Sequence, residues 1–260
     1  MKVVILAGGK GTRISEESYL RPKPMVEIGG MPILWHIMKG YSFHGFNEFI
    51  ICAGYKQEFI KQWFASYHII SSDITFDFSQ GNKVIIHQER VEPWKVTVVD
   101  TGMETQTGGR VKRIRPYIGN EPFMLTYGDG VSDVNIPELI RYHRERGKIA
   151  TLSMYNFGQS KGVLERDENG DIKAFREKSN FDANLINIGY MVLEPQVFDY
   201  IEGDATAFER EPMTALAAER QLAGYLHRGF WQCMDTMSEK QKLEDLWNSG
   251  KAPWKTWGEG

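Results

Sequence analysis

Cysteine is scarce in this chain. Only Cys52 and Cys233 occur in 260 residues, far apart and without a Cys-x-x-Cys pair, which excludes a disulfide framework and a cysteine-based zinc site and fits a reducing cytoplasm. Cys52 falls in the apolar run Phe49–Ala53 and reads as a small core residue. No apolar run approaches the ~18 residues of a membrane-spanning helix. The first residues, Met1 to Gly9, are too short for a signal peptide and read as a buried strand. An excess of basic charge is also missing. Lys+Arg number 31 against Asp+Glu 34, a formal net charge of -3, a balance that disfavours life on a nucleic-acid backbone, which calls for a net basic face. The six histidines show no metal spacing, and internal repeats, low-complexity linkers and charge blocks are lacking. What remains, 42% apolar and 25% charged residues, is the composition of an ordinary globular chain.

The first half alternates short apolar runs with longer amphipathic ones. Val3–Ala7, Phe49–Ala53 and Phe123–Tyr127 read as buried strands, each closed by glycine at Gly8, Gly54 or Gly128. Between and after them, Ile33–Met38 behind Pro32, Phe59–Tyr67 and Pro137–Arg146 read as helices. This alternation implies parallel strands with helices on both faces. Ile74–Phe78 and Val84–His87 alternate more strictly and suggest an antiparallel addition. Gly162–Glu165 and Ile172–Phe175, around residues 167–171, signal a hairpin. Glu211-Pro212 is expected to open a helix running through Leu222, and Ser238-Glu239-Lys240-Gln241 reads as a capping box before the last helix.

The sharpest local signal is Leu6-Ala7-Gly8-Gly9-Lys10-Gly11-Thr12-Arg13, directly after the first strand. Its glycines let backbone N–H groups approach anionic oxygens, and Arg13 adds a planar fork suited to phosphate. A Walker loop would need G-x-x-x-x-G-K-[ST], and a dinucleotide fingerprint would need glycine where Ile14 stands. The loop is therefore a phosphate loop of another kind; a plain tight turn would need the glycines but not the basic residues. Farther on, Arg21-Pro22-Lys23-Pro24-Met25-Val26 holds Lys23 between two prolines. That is either a solvated surface lysine or an ammonium presented from a stiff segment.

The Gly-Gly-x-Gly-Thr-Arg loop, Pro22-Lys23-Pro24-Met25 and a strand ending in Gly128-Asp129-Gly130 together resemble the sugar-phosphate nucleotidylyltransferases. Several further runs are similar to the glucose-1-phosphate cytidylyltransferase (CDP-glucose pyrophosphorylase) group: residues 21–30, 32–39, 90–94, 99–102, 126–130 and 250–257. The resemblance spans residues 1 to about 257 and leaves out 258–260.

The resemblance implies an α/β, Rossmann-like fold: a mostly parallel or mixed central sheet flanked by helices, with a small antiparallel addition, as one domain over 1–257. It implies CTP and α-D-glucose 1-phosphate as substrates, CDP-glucose and pyrophosphate as products, and Mg²⁺ as cofactor. Leu6, Ala7, Gly8, Gly9 and Lys10 would cradle the nucleotide, and Gly11, Thr12 and Arg13 would hold the triphosphate. Arg13 and Lys23 would be the catalytic cations, Lys23 near the α-phosphate. Thr105, Arg110 and Gly128 would contact the nucleotide, and the segment 105–110 also reads as an N-capped helix starting near Thr107. Asp129 and Asp235 would ligate the metal. For the sugar phosphate the candidates are Gly162, Glu177, Lys178 and Asn187.

Within the family's F-x-E-K-P run, Ser179 stands in the place of proline, and residues 180–184 replace a glycine-rich loop. Cys233 replaces a proline near Asp235. Relatives form homo-oligomers, hexamers among them. The alternatives on the same fold are a UDP- or dTDP-sugar pyrophosphorylase and, from another class, a non-catalytic nucleotide-sugar-binding subunit. His36, on an apolar helix face, reads as a satisfied core residue. Trp254 and Trp257 read as packing aromatics on the body or a neighbouring subunit.

Overall fold

A computed structural model describes residues 1–11, 14–79, 81–88, 91–156, 163–166, 172–176 and 185–258. Its centre is a seven-stranded sheet of β1 (Val3–Ala7), β4 (Glu48–Ala53), β7 (Lys95–Asp100), β8 (Phe123–Tyr127), β10 (Ala150–Asn156), β13 (Leu185–Leu193) and β14 (Leu222–His227). The order is β14-β10-β13-β8-β1-β4-β7. β1 runs parallel to β4 and β8, β4 to β7, and β10 to β14, whereas β13 is antiparallel to β8 and β10. The mixed sheet expected from the sequence is thus present. All five residues of β1 are buried, because a strand with parallel neighbours on both edges and helices on both faces has no side toward water.

Alternate side chains of β1 enter different layers. Val3, Ile5 and Ala7 join the core that holds α2 (Ile33–Phe43) and contains Ile60 of α3 (Gln57–Ile70), Leu139 of α6 (Ile136–Arg146) and Leu243 of α8 (Met237–Asn248). Val4 and Leu6 face the layer with Val111 of α4 (Thr107–Arg113), Ile118 of α5 (Arg115–Ile118) and Leu216 of α7 (Glu211–Ala218). One short helix, α1 (Ser15–Ser18), follows the first loop.

The antiparallel addition is a two-stranded ribbon, β5 (Asp73–Asp77) with β6 (Lys83–Gln88), separate from the central sheet. The expected later hairpin is β11 (Val163–Arg166) with β12 (Ile172–Arg176); its connecting residues lie outside the described ones. The described residues hold two further small pairs: β2 (Glu27–Ile28) with β3 (Met31–Pro32), and β9 (Gly130–Ser132) with β15 (Trp231–Cys233).

Two expectations need correction. The helix opened by Glu211-Pro212 stops at Ala218. Arg220 takes a left-handed φ of 56° and Gln221 donates to the Leu216 carbonyl, so Leu222 is free to begin β14. The capping box of α8 starts at Thr236, not Ser238. Thr236 Oγ1 accepts from Glu239 N–H while the Glu239 carboxylate accepts from Thr236 N–H. Glu239 brings a carboxylate to the positive end of the helix, which the alternative register ending on Gln241 would not.

The registers Ala7↔Ala53, Ala53↔Asp100 and Leu6↔Tyr127 bring the carboxyl ends of β1, β4, β7 and β8 to one level. From β1 the chain proceeds to β4 on one side, and it later returns to β8 on the other. The crevice above β1 is therefore the topological switch point, where open α/β sheets take their ligands.

Candidate active site

A cavity of about 580 Å³ opens there. Leu6, Ala7, Gly8, Gly9 and Gly11 form one wall. Gly8 is required by its neighbour: a Cβ would lie 2.1 Å from Arg110 Nη1. Gly11, with φ +64°, would bring a Cβ to 3.1 Å from Ser18 and 3.2 Å from Lys23. Ser18 Oγ donates to the Gly11 and Ile14 carbonyls at 2.7 and 2.9 Å, fixing the loop from below. Lys10 turns away from the cavity to an exposed ion pair, 2.7 Å from Glu104 Oε1.

Arg110, expected as a nucleotide contact, borders the cavity but is 4% exposed. Its Nη1 donates to Thr101 Oγ1 at 2.8 Å and to the Gly102 and Ala53 carbonyls at 2.7 and 3.4 Å. Its Nη2 donates to the Gly8 and Met103 carbonyls at 3.0 and 3.3 Å. One guanidinium thereby ties together the loops that follow β1, β4 and β7. Thr105 is buried beside it, and α4 begins at Thr107 as expected, although Gln106 at its N-cap supplies no side-chain bond.

The floor of the crevice is a charge cluster around a buried lysine. Lys23 sits in a 3₁₀ turn, Lys23–Met25, and is 7% exposed, so it is no surface lysine. Its Nζ donates to Asp129 Oδ2 at 2.6 Å and to Asp235 Oδ1. Burial works against the ammonium, but the two carboxylates more than offset it and hold its pKa above the ordinary lysine value. Asp129 follows β8 through Gly128, whose N–H donates to the Leu6 carbonyl at 2.9 Å. Asp235 comes from 106 residues farther along, and the β9–β15 pairing closes that gap: Gly130 is opposite Cys233, and Met234 N–H donates to the Asp129 carbonyl at 2.8 Å. Two converging hard carboxylate oxygens, already gathered on one cation, fit a divalent ion that completes its shell with water and phosphate. Among the described residues no cluster of three or more His, Cys, Asp or Glu could hold a metal.

The far wall carries Asn187 and residues that sequence reasoning missed. Tyr127 Oη and Thr107 Oγ1 each donate to the Glu209 carboxylate at 2.6 Å. Burial and Glu209 raise the Tyr127 phenol above its usual range. Trp231 and Cys233 also border the cavity. Burial and nearby carboxylates push the Cys233 thiol up to about 12, which keeps it protonated and unreactive. Nothing in the sequence singles out Glu209, an isolated acid just before the Glu211-Pro212 helix start.

The nucleotidyl transferase family model matches residues 2–236. Over 258 residues, 99% of this chain and 100% of the relative, the sequence is 52% identical to glucose-1-phosphate cytidylyltransferase of Salmonella typhi. The chain belongs to the glucose-1-phosphate cytidylyltransferases, within the nucleotidyl transferase family. A UTP–glucose-1-phosphate uridylyltransferase of Synechocystis is 30% identical over 77% of this chain and 51% of its own length. Among solved structures, HddC from Yersinia pseudotuberculosis superimposes with a TM-score of 0.67 over 95% of this chain and 99% of that one. At 21% identity that likeness speaks for the fold alone.

Seen against the family resemblance, the structure brings Leu6, Ala7, Gly8, Gly9, Gly11 and Lys23 to one crevice with Thr105, Arg110, Gly128, Asp129, Asn187 and Asp235. Thr12, Arg13, Gly162, Glu177 and Lys178 lie outside the described residues. No helix among the described residues is long and apolar enough to cross a membrane.

Proposed function

We propose that this crevice joins CTP to α-D-glucose 1-phosphate by in-line attack, releasing pyrophosphate and leaving CDP-glucose. The observation that carries the chemistry is the buried ammonium of Lys23 held between Asp129 and Asp235 beneath a glycine loop. The full-length likeness to a glucose-1-phosphate cytidylyltransferase carries the base and the sugar. An oxygen of the sugar phosphate attacks the α-phosphorus of CTP as the bond to the β-phosphate breaks, so positioning and charge neutralisation are the protein's main tasks.

In this reading the backbone N–H groups of the loop from Leu6 to Gly11 cradle the nucleotide, with Thr12 and Arg13 on the triphosphate. Arg13 faces the departing pyrophosphate, and Lys23 takes the charge that develops near the α-phosphate. Thr105 and Gly128 border the nucleotide, and Arg110 holds the loop carbonyls that shape its seat. Asn187, with Gly162, Glu177 and Lys178, receives the sugar phosphate. Asp129 and Asp235 would hold Mg²⁺, which when bound supplies two positive charges against the phosphate oxygens. The functional unit is a homo-oligomer, a hexamer by resemblance.

The test is pyrophosphate release with glucose 1-phosphate and Mg²⁺, comparing CTP, UTP, dTTP, ATP and GTP. CTP is expected to lead by a wide margin. Release led by UTP or dTTP would return the assignment to the UDP- or dTDP-sugar alternative, and silence with all five nucleotides would turn the test to other sugar phosphates and, if these too are silent, to a non-catalytic subunit.

A further inference from the structure

We propose that Glu209 is a sugar-recognition residue: its carboxylate accepts hydrogen bonds from neighbouring hydroxyls of the hexose and so helps to set which sugar phosphate the crevice takes. The proposal deepens, and rests on, the reading of the crevice as the site where CTP meets glucose 1-phosphate.

Glu209 is exposed, yet it borders the cavity and is held there from two sides. Phe208, the residue before it, is fully buried and donates its N–H to Thr107 Oγ1 at 2.8 Å. That bond leaves the Thr107 proton for Glu209 Oε2, 2.6 Å away. On the other side Tyr127 Oη donates to Glu209 Oε1, also at 2.6 Å. The Tyr127 ring lies against Gly189, where a Cβ would come within 2.2 Å of its Cδ2, so only glycine leaves room for it. Both donors are thus seated by the fold itself, one at the start of α4 and the other at the end of β8.

A carboxylate offers about four acceptor positions, and among the described residues two are filled, one on each oxygen. The positions left can take a pair of O–H donors at once, which is what neighbouring hydroxyls of a hexose present. The neutrality of Tyr127 and Thr107 matters here. They orient the carboxylate without neutralising it, and hydrogen bonds to a charged group are the stronger kind.

Position favours the hexose over the ribose. The Asn187 side chain is within hydrogen-bonding reach of the same Tyr127 phenol. Asn187 is itself held by Gly189, whose N–H donates to its Oδ1 at 2.9 Å. Asn187, Tyr127 and Glu209 therefore form one connected row on the far wall, and Asn187 belongs to the set read as receiving the sugar phosphate. A carboxylate that merely braced α4 against β8 would weaken every substrate alike when removed. One that holds particular hydroxyls would not.

The experiment is steady-state pyrophosphate release by the full chain with CTP and Mg²⁺, run on glucose 1-phosphate and on its monodeoxy analogues lacking the hydroxyl at C2, C3, C4 or C6. Wild type is compared with Glu209→Gln and with Tyr127→Phe. Glu209→Gln is expected to raise the KM for glucose 1-phosphate about tenfold or more while moving the KM for CTP less than about twofold. The penalty should disappear for the analogue whose missing hydroxyl Glu209 holds, because wild type has already lost that bond. Tyr127→Phe keeps the ring over Gly189 and removes one donor; it should show a smaller penalty tied to the same hydroxyl, and it decides the matter should the glutamine variant fold poorly. Equal penalties on glucose 1-phosphate and every analogue would make Glu209 a brace, a penalty on CTP would give it to the ribose, and no penalty would leave it outside recognition; each overturns the proposal alone. Wild type that turns over none of these sugar phosphates overturns the reading of the crevice, a result seen without any variant.

Discussion

Lys23 and His36 are both basic, both buried and only thirteen positions apart, yet the fold drives them to opposite charge states. Lys23 lies against two carboxylates, which raise its pKa despite its burial. His36, 1% exposed, has no carboxylate against it among the described residues, and burial lowers its pKa to about 4. Its Nε2 lies 2.8 Å from the Ile28 carbonyl and must carry the proton, leaving Nδ1 to accept from Trp254 Nε1 at 3.4 Å. The Trp247 ring packs edge-on at 4.6 Å. Burial alone therefore does not decide the state of a basic group here. Counter-charges are supplied where a charge is used, at the crevice, and withheld where a histidine fills a core.

The comparison breaks most visibly when the counter-charges are removed. Asp129→Asn should lower turnover on the order of a hundredfold or more while leaving the chain folded, because charge stabilisation at the phosphates is lost. Lys23→Ala should depress turnover more than CTP binding, since an ammonium acting on developing charge matters most in the transition state. Steady-state pyrophosphate release set beside calorimetric CTP binding separates the two effects. Near-normal turnover in a folded Asp129→Asn protein would remove that carboxylate from the mechanism.

Arg110 sharpens the contrast as a third buried base, one whose hydrogen bonds go to neutral oxygens. Burial lowers its pKa, yet a guanidinium holds its proton, and its N–H groups are satisfied by five such oxygens. Arg110→Lys keeps the charge but not the planar fork, so it should cost about 2 kcal/mol of stability and raise the KM for CTP about tenfold. Urea denaturation and CTP titration check the two numbers. A lysine variant as stable and as tight as wild type would mean that the loops after β1, β4 and β7 hold themselves.

These roles differ in how far the residues alone announce them. The strand Val3–Ala7, its glycine loop and the strand before Asp129 are local patterns, and the structure places them as read. Cys52 and the tryptophans of the tail are core residues as expected, 0%, 2% and 9% exposed for Cys52, Trp254 and Trp257. The pairing of Asp129 with Asp235 rests instead on β9 meeting β15, two three-residue strands with no periodicity long enough to detect. Arg110 reads as a nucleotide contact by resemblance; only the tertiary fold shows which oxygens its guanidinium holds. The register of the last capping box was ambiguous because both Thr236 and Ser238 precede an acceptor by three residues.

His36 supplies a pH test of the other half of the comparison. Its folded pKa is below its unfolded value near 6.5, so between those values the unfolded chain binds the extra proton. Stability is then fully present above pH 6.5 and falls as the pH drops toward 4. From pH 7 to 4.5 this one residue should cost about 2.5 kcal/mol. Urea unfolding of wild type at the two pH values, set against His36→Gln, isolates the contribution. The glutamine variant should lose part of its stability at pH 7, through poorer packing among the tryptophans, and show a shallower decline with acid. An unchanged acid slope in a folded His36→Gln protein would mean that His36 is protonated within the native core.

The smallest effect is expected where charge meets charge in open water. Lys10 and Glu104 form an ion pair whose side chains are 48% and 75% exposed, so solvent screens most of their attraction. Glu104→Gln should alter unfolding stability by less than about 0.5 kcal/mol. Its effect on binding has a definite sign, because the pair ties a lysine of the glycine loop to the segment ahead of α4. Freed from Glu104, Lys10 can turn toward the triphosphate. The KM for CTP should fall about twofold at low salt, and the gain should vanish at 0.5 M salt, where the screening length shrinks to about 4 Å. A rise in KM would instead give Glu104 a part in shaping the nucleotide's seat. Lys23 and Lys10 would then differ in burial alone, each needing its carboxylate.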